Sequence, residues 1–319
     1  MILTLTPNPA LDLTWTLEHL APGEVHRAPR GVTRAGGKGI NVARVLHATG
    51  HEVIAVAPGP GGDEFAAELA ESGVPHQLVP VHAPMRRSLS LVDVSRGDAT
   101  VVNETGAGLT PAECELLIAQ ATETAHHASV IAICGSLPAG VTPAVLADWV
   151  RLLQRSAAPV VVDTSGDGLI AAAAAGAWAL KPNREELLTA TGLDDPVAAA
   201  RHLLDLGARL VVVSLGADGL LVVCAADPAG HLHARLPRPL SGNPTGAGDA
   251  AVAALCSALA TDGRLHSWTE SAAQGRTELA RTMTAWSAAA VLAPLAGSLG
   301  GDVDALMAEV VVTQVAEPS

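Results

Sequence analysis

The chain is organised around one glycine-rich stretch, Gly242-Asn243-Pro244-Thr245-Gly246-Ala247-Gly248-Asp249-Ala250. Uncharged residues follow at 250–260 and predict a buried helix. A glycine turn that leads into a helix N-terminus offers free N–H groups and a favourable dipole to an anion. Asp249 in the first helical turn can cap the helix, or it can take a proton from a hydroxyl that attacks a bound phosphate.

The same stretch also fits the dinucleotide fingerprint G-x-G-x-x-G/A from Gly246 to Ala251. That fingerprint requires a strand directly before it and a parallel strand after its helix. The preceding residues, 236–240, contain two prolines and make a poor strand. The residues after the helix are interpreted as mostly helical to the end of the chain, so the dinucleotide interpretation lacks its structural context.

Composition excludes several classes of function. The 319 residues carry a net charge of −13, which argues against a surface for nucleic acid or anionic membrane. There are no tyrosines and one phenylalanine, so stacking of bases on an aromatic platform is not expected. Hydrophobic residues make up 49% of the chain, enough for the core of one large α/β domain.

The cysteines and histidines form no recognisable metal motif. Four widely spaced cysteines are expected to be buried free thiols in a reducing compartment; they are Cys114, Cys134, Cys224 and Cys256. The twelve histidines lack zinc-binding spacing such as H-E-x-x-H. The first six residues lack the basic flank of a signal peptide and are interpreted as a strand. We therefore expect a soluble, cytoplasmic protein.

Alternating strands and helices predict the fold class. Strands are expected at 2–5, 51–57, 129–134, 159–163, 177–181, 210–214 and 220–223, and helices at 111–125, 142–156 and 197–206. This order predicts an α/β fold with a central, mainly parallel sheet and helices on both faces. Polar residues follow four of the strands, at 135–138, 163–165, 181–186 and 214–219. Because carboxyl ends of parallel strands share one edge, these exits indicate a ligand site there.

Other short patterns of period two fall outside this sheet. They lie at 14–16, at 25–32, and in a hairpin formed by 86–94 and 99–103. They predict a small accessory sheet, inserted at about 13–34 and 86–105 in a single domain that spans residues 1–319.

Residues 34–46 contain a second glycine-rich stretch, which again leads into a predicted helix. It is not a Walker A loop, because glycine follows Lys38 where serine or threonine is required. Gly36, Gly37, Lys38 and Asn41 can nevertheless hydrogen-bond a polyhydroxy ligand and hold an anion. Asp12, just after the first strand, is a further candidate ligand or a turn-capping residue.

Taken together, these motifs resemble those of the ribokinase-like (PfkB) carbohydrate kinases, and within them the branch of 1-phosphofructokinases and tagatose-6-phosphate kinases. The motifs are T-P-N-P-A-L-D at 6–12, G-G-K-G-I-N-V-A-R at 36–44, G-S-L-P-A-G-V at 135–141, K-P-N-R-E-E-L at 181–187, S-L-G-A-D-G at 214–219 and G-A-G-D at 246–249. The resemblance covers nearly the whole chain. It implies a central parallel sheet between helices, with the accessory sheet as a lid.

The resemblance also implies roles for individual residues. The base would be Asp249, and the anion hole would be the N–H groups of Gly246, Ala247 and Gly248. Sugar hydroxyls would be bound by Asp12, Gly36, Gly37 and Asn41, and the substrate's own phosphate by Lys38, Arg86 and Ser136. ATP and Mg²⁺ would be bound by Lys181, Asn183, Glu186, Ser214, Gly216 and Gly219, with Asn183 and Glu186 acting on the metal indirectly.

The implied activity is ATP-dependent phosphorylation of a ketohexose phosphate, with fructose 1-phosphate as first choice and fructose 1,6-bisphosphate as its product. Tagatose 6-phosphate and fructose 6-phosphate are alternative substrates. A kinase of an unphosphorylated sugar or nucleoside is another alternative, against which the cations Lys38 and Arg86 argue. The last alternative is a non-catalytic nucleotide-binding regulator, and the intact Asp249 argues against it.

This chain departs from its relatives at two places. Relatives often carry Ser-Thr-Val before the G-A-G-D run, where this chain has Asn243-Pro244-Thr245, and proline removes one N–H donor. Relatives often carry asparagine two residues after the lid arginine, where this chain has Ser88, so the preference for one sugar is open. Relatives pair their lids across a homodimer, and we expect the same assembly here.

Overall fold

A computed structural model describes residues 1–227, 230–261 and 272–316. The strands are β1 Ile2–Leu5, β2 Ala10–Leu17, β3 Val32–Gly36, β4 Val53–Gly59, β5 His76–Pro80, β6 Arg87–Asp93, β7 Asp98–Asn103, β8 Val130–Cys134, β9 Val160–Asp163, β10 Ala179–Leu180, β11 Leu210–Ser214, β12 Leu220–Cys224, β13 Gly230–Arg235 and β14 Val311–Ala316. The helices are α1 Lys38–Ala48, α2 Glu64–Glu71, α3 Pro111–Ala125, α4 Pro143–Leu153, α5 Asp167–Ala174, α6 Arg184–Thr191, α7 Pro196–Leu206, α8 Ala247–Thr261, α9 Ala272–Val291 and α10 Val303–Glu309.

Among the described residues, the large sheet has the strand order β14-β13-β12-β11-β10-β9-β8-β1-β4-β5. The strands from β5 to β11 in this order are parallel, and β12, β13 and β14 add to β11 as antiparallel neighbours. The predicted α/β class with a mainly parallel sheet is confirmed. No helix of the described residues is long and apolar enough to cross a membrane.

Two apolar layers cover the faces of this sheet. Alternate residues of β8 illustrate the division: Val130, Ala132 and Cys134 pack on one side with α1, α8 and α9, while Ile131 and Ile133 pack on the other with α3, α4 and α7. Every residue of β8 is buried, as is usual for parallel strands that are covered on both faces. The four cysteines are buried free thiols, as expected.

The small sheet, here called the lid, has the strand order β3-β2-β6-β7. Because strand side chains alternate, the lid has two faces of opposite character. Its inner face lines cavities mainly with polar residues, namely Asp12, Thr14, Ser88, Ser90 and Asn103, together with the apolar Val101. Its outer face carries Leu13, Trp15, Leu89, Leu91 and Val102, which lie at the intervening positions of the same strands.

Two expectations from the sequence are wrong. The alternation at 25–32 does not form a strand, and β3 instead occupies Val32–Gly36, where it pairs with β2 from Thr14 to Ala10. Nor is the chain helical to its end, because β14 pairs with β13 after α10. The expectation for residues 262–271 and 317–319 lies outside the described residues.

Candidate active site

The main cavity of the described structure lies between the inner face of the lid and the carboxyl ends of β8, β9, β10 and β11. Its volume is about 680 Å³, which is within the usual range for small-molecule sites. Among the residues singled out from the sequence, its lining includes Asp12, Gly37, Lys38, Asn41, Arg86, Ser136, Lys181, Asn183, Glu186, Ser214, Gly246, Gly248 and Asp249. The four polar strand exits do converge on one crevice, as the sequence predicts.

Asp249 lies in the first turn of α8, where the glycine turn brings the helix N-terminus to the cavity. Gly246 has a φ of 89°, a conformation that favours glycine, and a side chain there would collide with the backbone of Ala296. The carboxylate of Asp249 is only 6% exposed, and its Oδ2 accepts a hydrogen bond of 2.8 Å from Nδ2 of Asn41. Burial, with the nearby charge of Asp163, raises the pKa of Asp249 to about 6. This carboxylate is therefore a stronger base than an ordinary aspartate.

The N–H groups of the glycine turn are not all free. The N–H of Ala247 donates to the carbonyl of Pro244 at 3.2 Å, so it is used within the turn. Gly246 and Gly248 line the cavity. Their positions at the start of α8 leave them as the better donors to an anion.

A cluster of alternating charges lies at the ends of β9 and β10. Oδ1 of the buried Asp163 lies 2.8 Å from Nζ of Lys38, and its Oδ2 lies 3.4 Å from Nζ of Lys181. Lys38 Nζ also lies 3.6 Å from Oε1 of Glu186. Burial acts to raise the pKa of Asp163, but Lys181 and Lys38 together outweigh it and lower that pKa. Burial likewise opposes the charge on Lys38, but Asp163 and Glu186 raise its pKa, so Lys38 stays cationic beside the cavity.

Asp12 belongs to the lid. The sequence placed it in a loop after the first strand, but it lies within β2, next to Arg34 of β3. A side chain at Gly36 would overlap its carboxylate, so the close approach requires glycine there. Burial, followed by repulsion from Asp249, raises the pKa of Asp12 to about 7. Two carboxyl groups thus face one cavity and influence each other's protonation.

Arg86 lies at the hinge that leads into β6. Its Nη2 donates to the carbonyl of Asn8 at 3.0 Å, and its Nη1 donates to the carbonyl of Glu104 at 3.3 Å. The side chain of Asn8 donates in turn to Oγ of Ser136 at 3.0 Å. Arg86 and Ser136, both predicted, therefore lie in one group joined by Asn8, which the sequence motif contains but which we had not singled out.

The N-x-x-E motif forms a capping box at the start of α6. Oδ1 of Asn183 accepts from the N–H of Glu186 at 2.8 Å, and Oε2 of Glu186 accepts from the N–H of Asn183 at 2.9 Å. This leaves Oε1 of Glu186 turned to Lys38 and the cavity. Asn183 is also bridged to Ser214, which brings the ends of β10 and β11 together.

The remaining predicted residues do not line the cavity. Gly216 and Gly219 flank the short turn between β11 and β12, and a side chain at Gly219 would collide with the carbonyl of Ala234. Gly36 supports Asp12, and Ala247 lies within the first turn of α8. Asp163 is the main residue that the sequence analysis left without a role. The sequence signal for it was an acidic residue at the end of an apolar strand, within one of the polar strand exits.

Solved structures share this fold. The structure of Arabidopsis thaliana ribokinase complexed with ribose and ATP superposes with a TM-score of 0.67 at 19% identity, and the match covers 96% of this chain and 98% of that one. The crystal structure of phosphofructokinase-2 from Escherichia coli in complex with fructose-6-phosphate gives a TM-score of 0.81 at 30% identity, again over 96% and 98% of the two chains. The fold is ribokinase-like.

Sequence comparison gives the family. Residues 8–280 match the model of the pfkB family carbohydrate kinases. A 1-phosphofructokinase of Xanthomonas campestris pv. campestris is 38% identical over 271 residues, which are 82% of this chain and 84% of that protein. The chain belongs to the pfkB family of carbohydrate kinases.

Proposed function

We propose that this protein transfers the γ-phosphoryl group of ATP to a hydroxyl of a ketohexose phosphate, and that fructose 1-phosphate is its substrate and fructose 1,6-bisphosphate its product. The observation that carries the proposal is Asp249: a buried carboxylate of raised pKa, held by Asn41, beside the N–H groups that open α8. Phosphoryl transfer needs a positioned base and donors for the charge that develops, and both lie here within one turn of helix.

In this proposal the attacking hydroxyl of the sugar donates its proton to Asp249. The N–H groups of Gly246 and Gly248 stabilise the phosphoryl group as it moves, with Ala247 holding the turn through Pro244. Asp12 accepts hydrogen bonds from other hydroxyls of the sugar, and Gly37 and Asn41 contact the sugar at the start of α1. Gly36, at the end of β3, contributes by leaving room for the carboxylate of Asp12. These contacts hold the hydroxyl in line with the phosphorus.

ATP is proposed to lie along the ends of β10 and β11, against Lys181, Asn183, Glu186, Ser214, Gly216 and Gly219. Mg²⁺ fits the same place, because it prefers carboxylate oxygens and water and commonly binds through one carboxylate and substrate phosphates. Oε1 of Glu186, which is free of the capping box, would act on the metal indirectly, with Asn183 fixing the position of that side chain. When bound, the metal neutralises charge on the nucleotide phosphates.

The structure divides the cations predicted to bind the substrate's phosphate into two groups. Arg86 lies with Asn8 and Ser136 at the lid hinge, while Lys38 is paired with Asp163 and Glu186. We therefore assign the substrate's own phosphate to Arg86 and Ser136, and we assign Lys38, with Lys181, to the phosphoryl group in transit.

Two substitutions test this division. Arg86→Ala should raise the KM for the sugar phosphate by about tenfold to a hundredfold and leave the KM for ATP unchanged, since a charged hydrogen bond contributes about 1.5–3 kcal/mol. Lys38→Ala should instead lower kcat. Arg151→Ala, an exposed arginine paired with Asp148 on α4, is the matched control. If Lys38→Ala raises only the KM for the sugar phosphate, Lys38 belongs to the phosphate cradle with Arg86, as the sequence analysis had it.

The substrate is tested with Mg-ATP and a panel of fructose 1-phosphate, tagatose 6-phosphate, fructose 6-phosphate, fructose, ribose and adenosine. We expect the sugar phosphates to be used and the neutral compounds not, because a neutral sugar gives Arg86 no anion. Fructose 1-phosphate is supported by the relatives named 1-phosphofructokinase, and fructose 6-phosphate by the structure that contains it. Turnover of none of them would leave the nucleotide-binding regulator as the remaining interpretation.

We also propose a homodimer that forms through the outer face of the lid. Val102 on this face is 56% exposed, and its strand neighbours Leu13, Trp15, Leu89 and Leu91 are only half-buried. Contiguous apolar surface of this kind marks an interaction site. A cytoplasmic location is proposed on separate grounds, because four free buried thiols suit a reducing compartment.

A further inference from the structure

One row of polar side chains crosses the inner face of the lid. Asp12 of β2 is paired with Ser88 of β6, and Ser88 is paired with Asn103 of β7. Residues that pair directly across strands project from the same face of a sheet, about 5 Å apart. All three side chains line the main cavity. The sequence analysis assigned a ligand role only to the first of them.

Within the described part of the chain, these three side chains are not used in hydrogen bonds. Neither Ser88 nor Asn103 forms a side-chain hydrogen bond with any other described residue, and the carboxylate of Asp12 accepts none. One row further along the same face, the hydroxyl of Ser90 is 9% exposed and also lacks a partner among the described residues. A buried polar group is normally paired, so the open hydroxyl of Ser90 indicates a ligand beside it. Ser88 is half-buried and Asn103 is exposed, and both line the same cavity with side chains that are free to bond a ligand.

The two faces of the lid strengthen this conclusion. A sheet that served only as a cover would place its apolar residues over the cavity and its polar residues toward solvent. Apart from Val101, which also lines the cavity, the lid does the opposite, with Leu89 and Val102 on the outer face and Ser88 and Asn103 on the inner face. The polar row is therefore directed at whatever lies beneath the lid.

We propose that Asn103, acting with Ser88, is a specificity-determining residue that recognises the secondary hydroxyl groups of the sugar. The inference rests on the proposed function and adds a recognition site to it. Asparagine both donates and accepts hydrogen bonds, so it suits a hydroxyl, which does the same. Because Ser88 is short, the amide of Asn103 on the next strand can reach over it toward the ligand. In this arrangement the hydroxyl groups at neighbouring positions of one ketohexose are bound by Asp12, Ser88 and Asn103.

The test compares two substrates that differ only in the configuration of one secondary hydroxyl, fructose 6-phosphate and tagatose 6-phosphate, alongside fructose 1-phosphate. Asn103→Ala should lower kcat/KM for the better 6-phosphate by about tenfold and reduce the ratio between the two epimers, while the KM for ATP stays unchanged. Ser88→Asn introduced into the Asn103→Ala protein moves an amide one strand closer to Asp12. This double variant should recover part of the lost rate.

Thr100→Ala is the matched control, because Thr100 lies on β7 but on the outer face. It should leave the epimer ratio as in the unaltered protein. If Asn103→Ala changes kcat/KM for every sugar phosphate by less than twofold, the inference is wrong while the proposed function stands. If the unaltered protein phosphorylates no sugar phosphate, the proposed function fails, and this inference fails with it.

Discussion

At the scale of the residue, the chemistry depends on how a few carboxylates are held. Asp249, Asp163 and Asp12 are each partly or fully enclosed, yet their protonation differs. Two lysines keep the pKa of Asp163 low. Burial and repulsion from a neighbouring carboxylate raise the other two pKa values, with Asp163 acting on Asp249 and Asp249 acting on Asp12. Asp163 is therefore suited to fix Lys38 and Lys181, and Asp249 is suited to accept a proton.

Replacement of the base is the simplest prediction at this scale. Asp249→Asn keeps the size of the side chain and its place in the helix, but it removes the proton acceptor. We expect kcat to fall by about 10²–10⁴, the usual contribution of a general base, with the KM for ATP little changed. Asp304→Asn, an exposed acid in the first turn of α10, is the control. Near-normal turnover by Asp249→Asn in steady-state kinetics would show that another group takes the proton.

The pH dependence follows from the same carboxylates. The pKa of Asp249 is raised to about 6 and that of Asp12 to about 7. The proton acceptor must be ionised, so kcat/KM for the sugar phosphate should decline as pH falls through the range of about 7 to 6. This range lies well above the pH at which an ordinary aspartate becomes protonated. The two groups are coupled, so the profile reports values for the pair. A profile that stays flat down to pH ~5 would contradict this assignment.

At the scale of the element, Glu113 in the first turn of α3 ties two hinge segments of the lid together. Its Oε1 accepts from the N–H of His82 at 2.9 Å, and its Oε2 accepts from the N–H and the hydroxyl of Thr110, each at 2.8 Å. These backbone hydrogen bonds lower the pKa of Glu113 to about 2. His82 lies four residues before Arg86, so the clamp also sets where the phosphate cradle begins.

Glu113→Gln should loosen this clamp, because one oxygen acceptor is replaced by an NH₂ group that faces backbone donors. We expect the melting temperature of the variant to be lower by a few degrees. We also expect its KM for the sugar phosphate to increase more than its KM for ATP. The folded pKa lies below the unfolded value near 4.5, so the stabilisation is present above that pH and is lost as pH falls toward about 2. The variant should thus lose its deficit in acid. Equal melting curves for Glu113→Gln and the exposed control Glu115→Gln would refute the clamp.

At the scale of the whole molecule, the lid connects the site to assembly. Its inner face lines the cavity and its apolar outer face is left partly exposed. Val102→Glu places a charge on the outer face of the edge strand β7, within the proposed interface. Light scattering should then give the mass of one chain where the unaltered protein gives two. Leu116→Glu, at a comparably exposed position on α3, is the control. A single-chain mass for the unaltered protein at micromolar concentration would exclude the dimer.

Much of this architecture follows from the sequence because local rules and tertiary packing agree. The βα alternation and the glycine turn before Asp249 place the parallel strands and their polar ends correctly. The pairing of Lys38 with Asp163 was not predictable, since it joins residues 125 positions apart and depends on the end of β9 meeting the start of α1. The strand β14 was missed because it forms only by pairing with β13, and the role of Asn103 needs the register of the lid.

The central claim is that the cavity transfers phosphate from ATP to a phosphorylated ketohexose. The most direct measurement is phosphorus NMR of the unaltered protein with Mg-ATP and fructose 1-phosphate, with Asp249→Asn run in parallel. The account predicts that resonances of ADP and of fructose 1,6-bisphosphate grow together in equal amounts, and that they grow far more slowly with the variant. ADP that forms without a new sugar bisphosphate, or product that forms equally fast with Asp249→Asn, would contradict it.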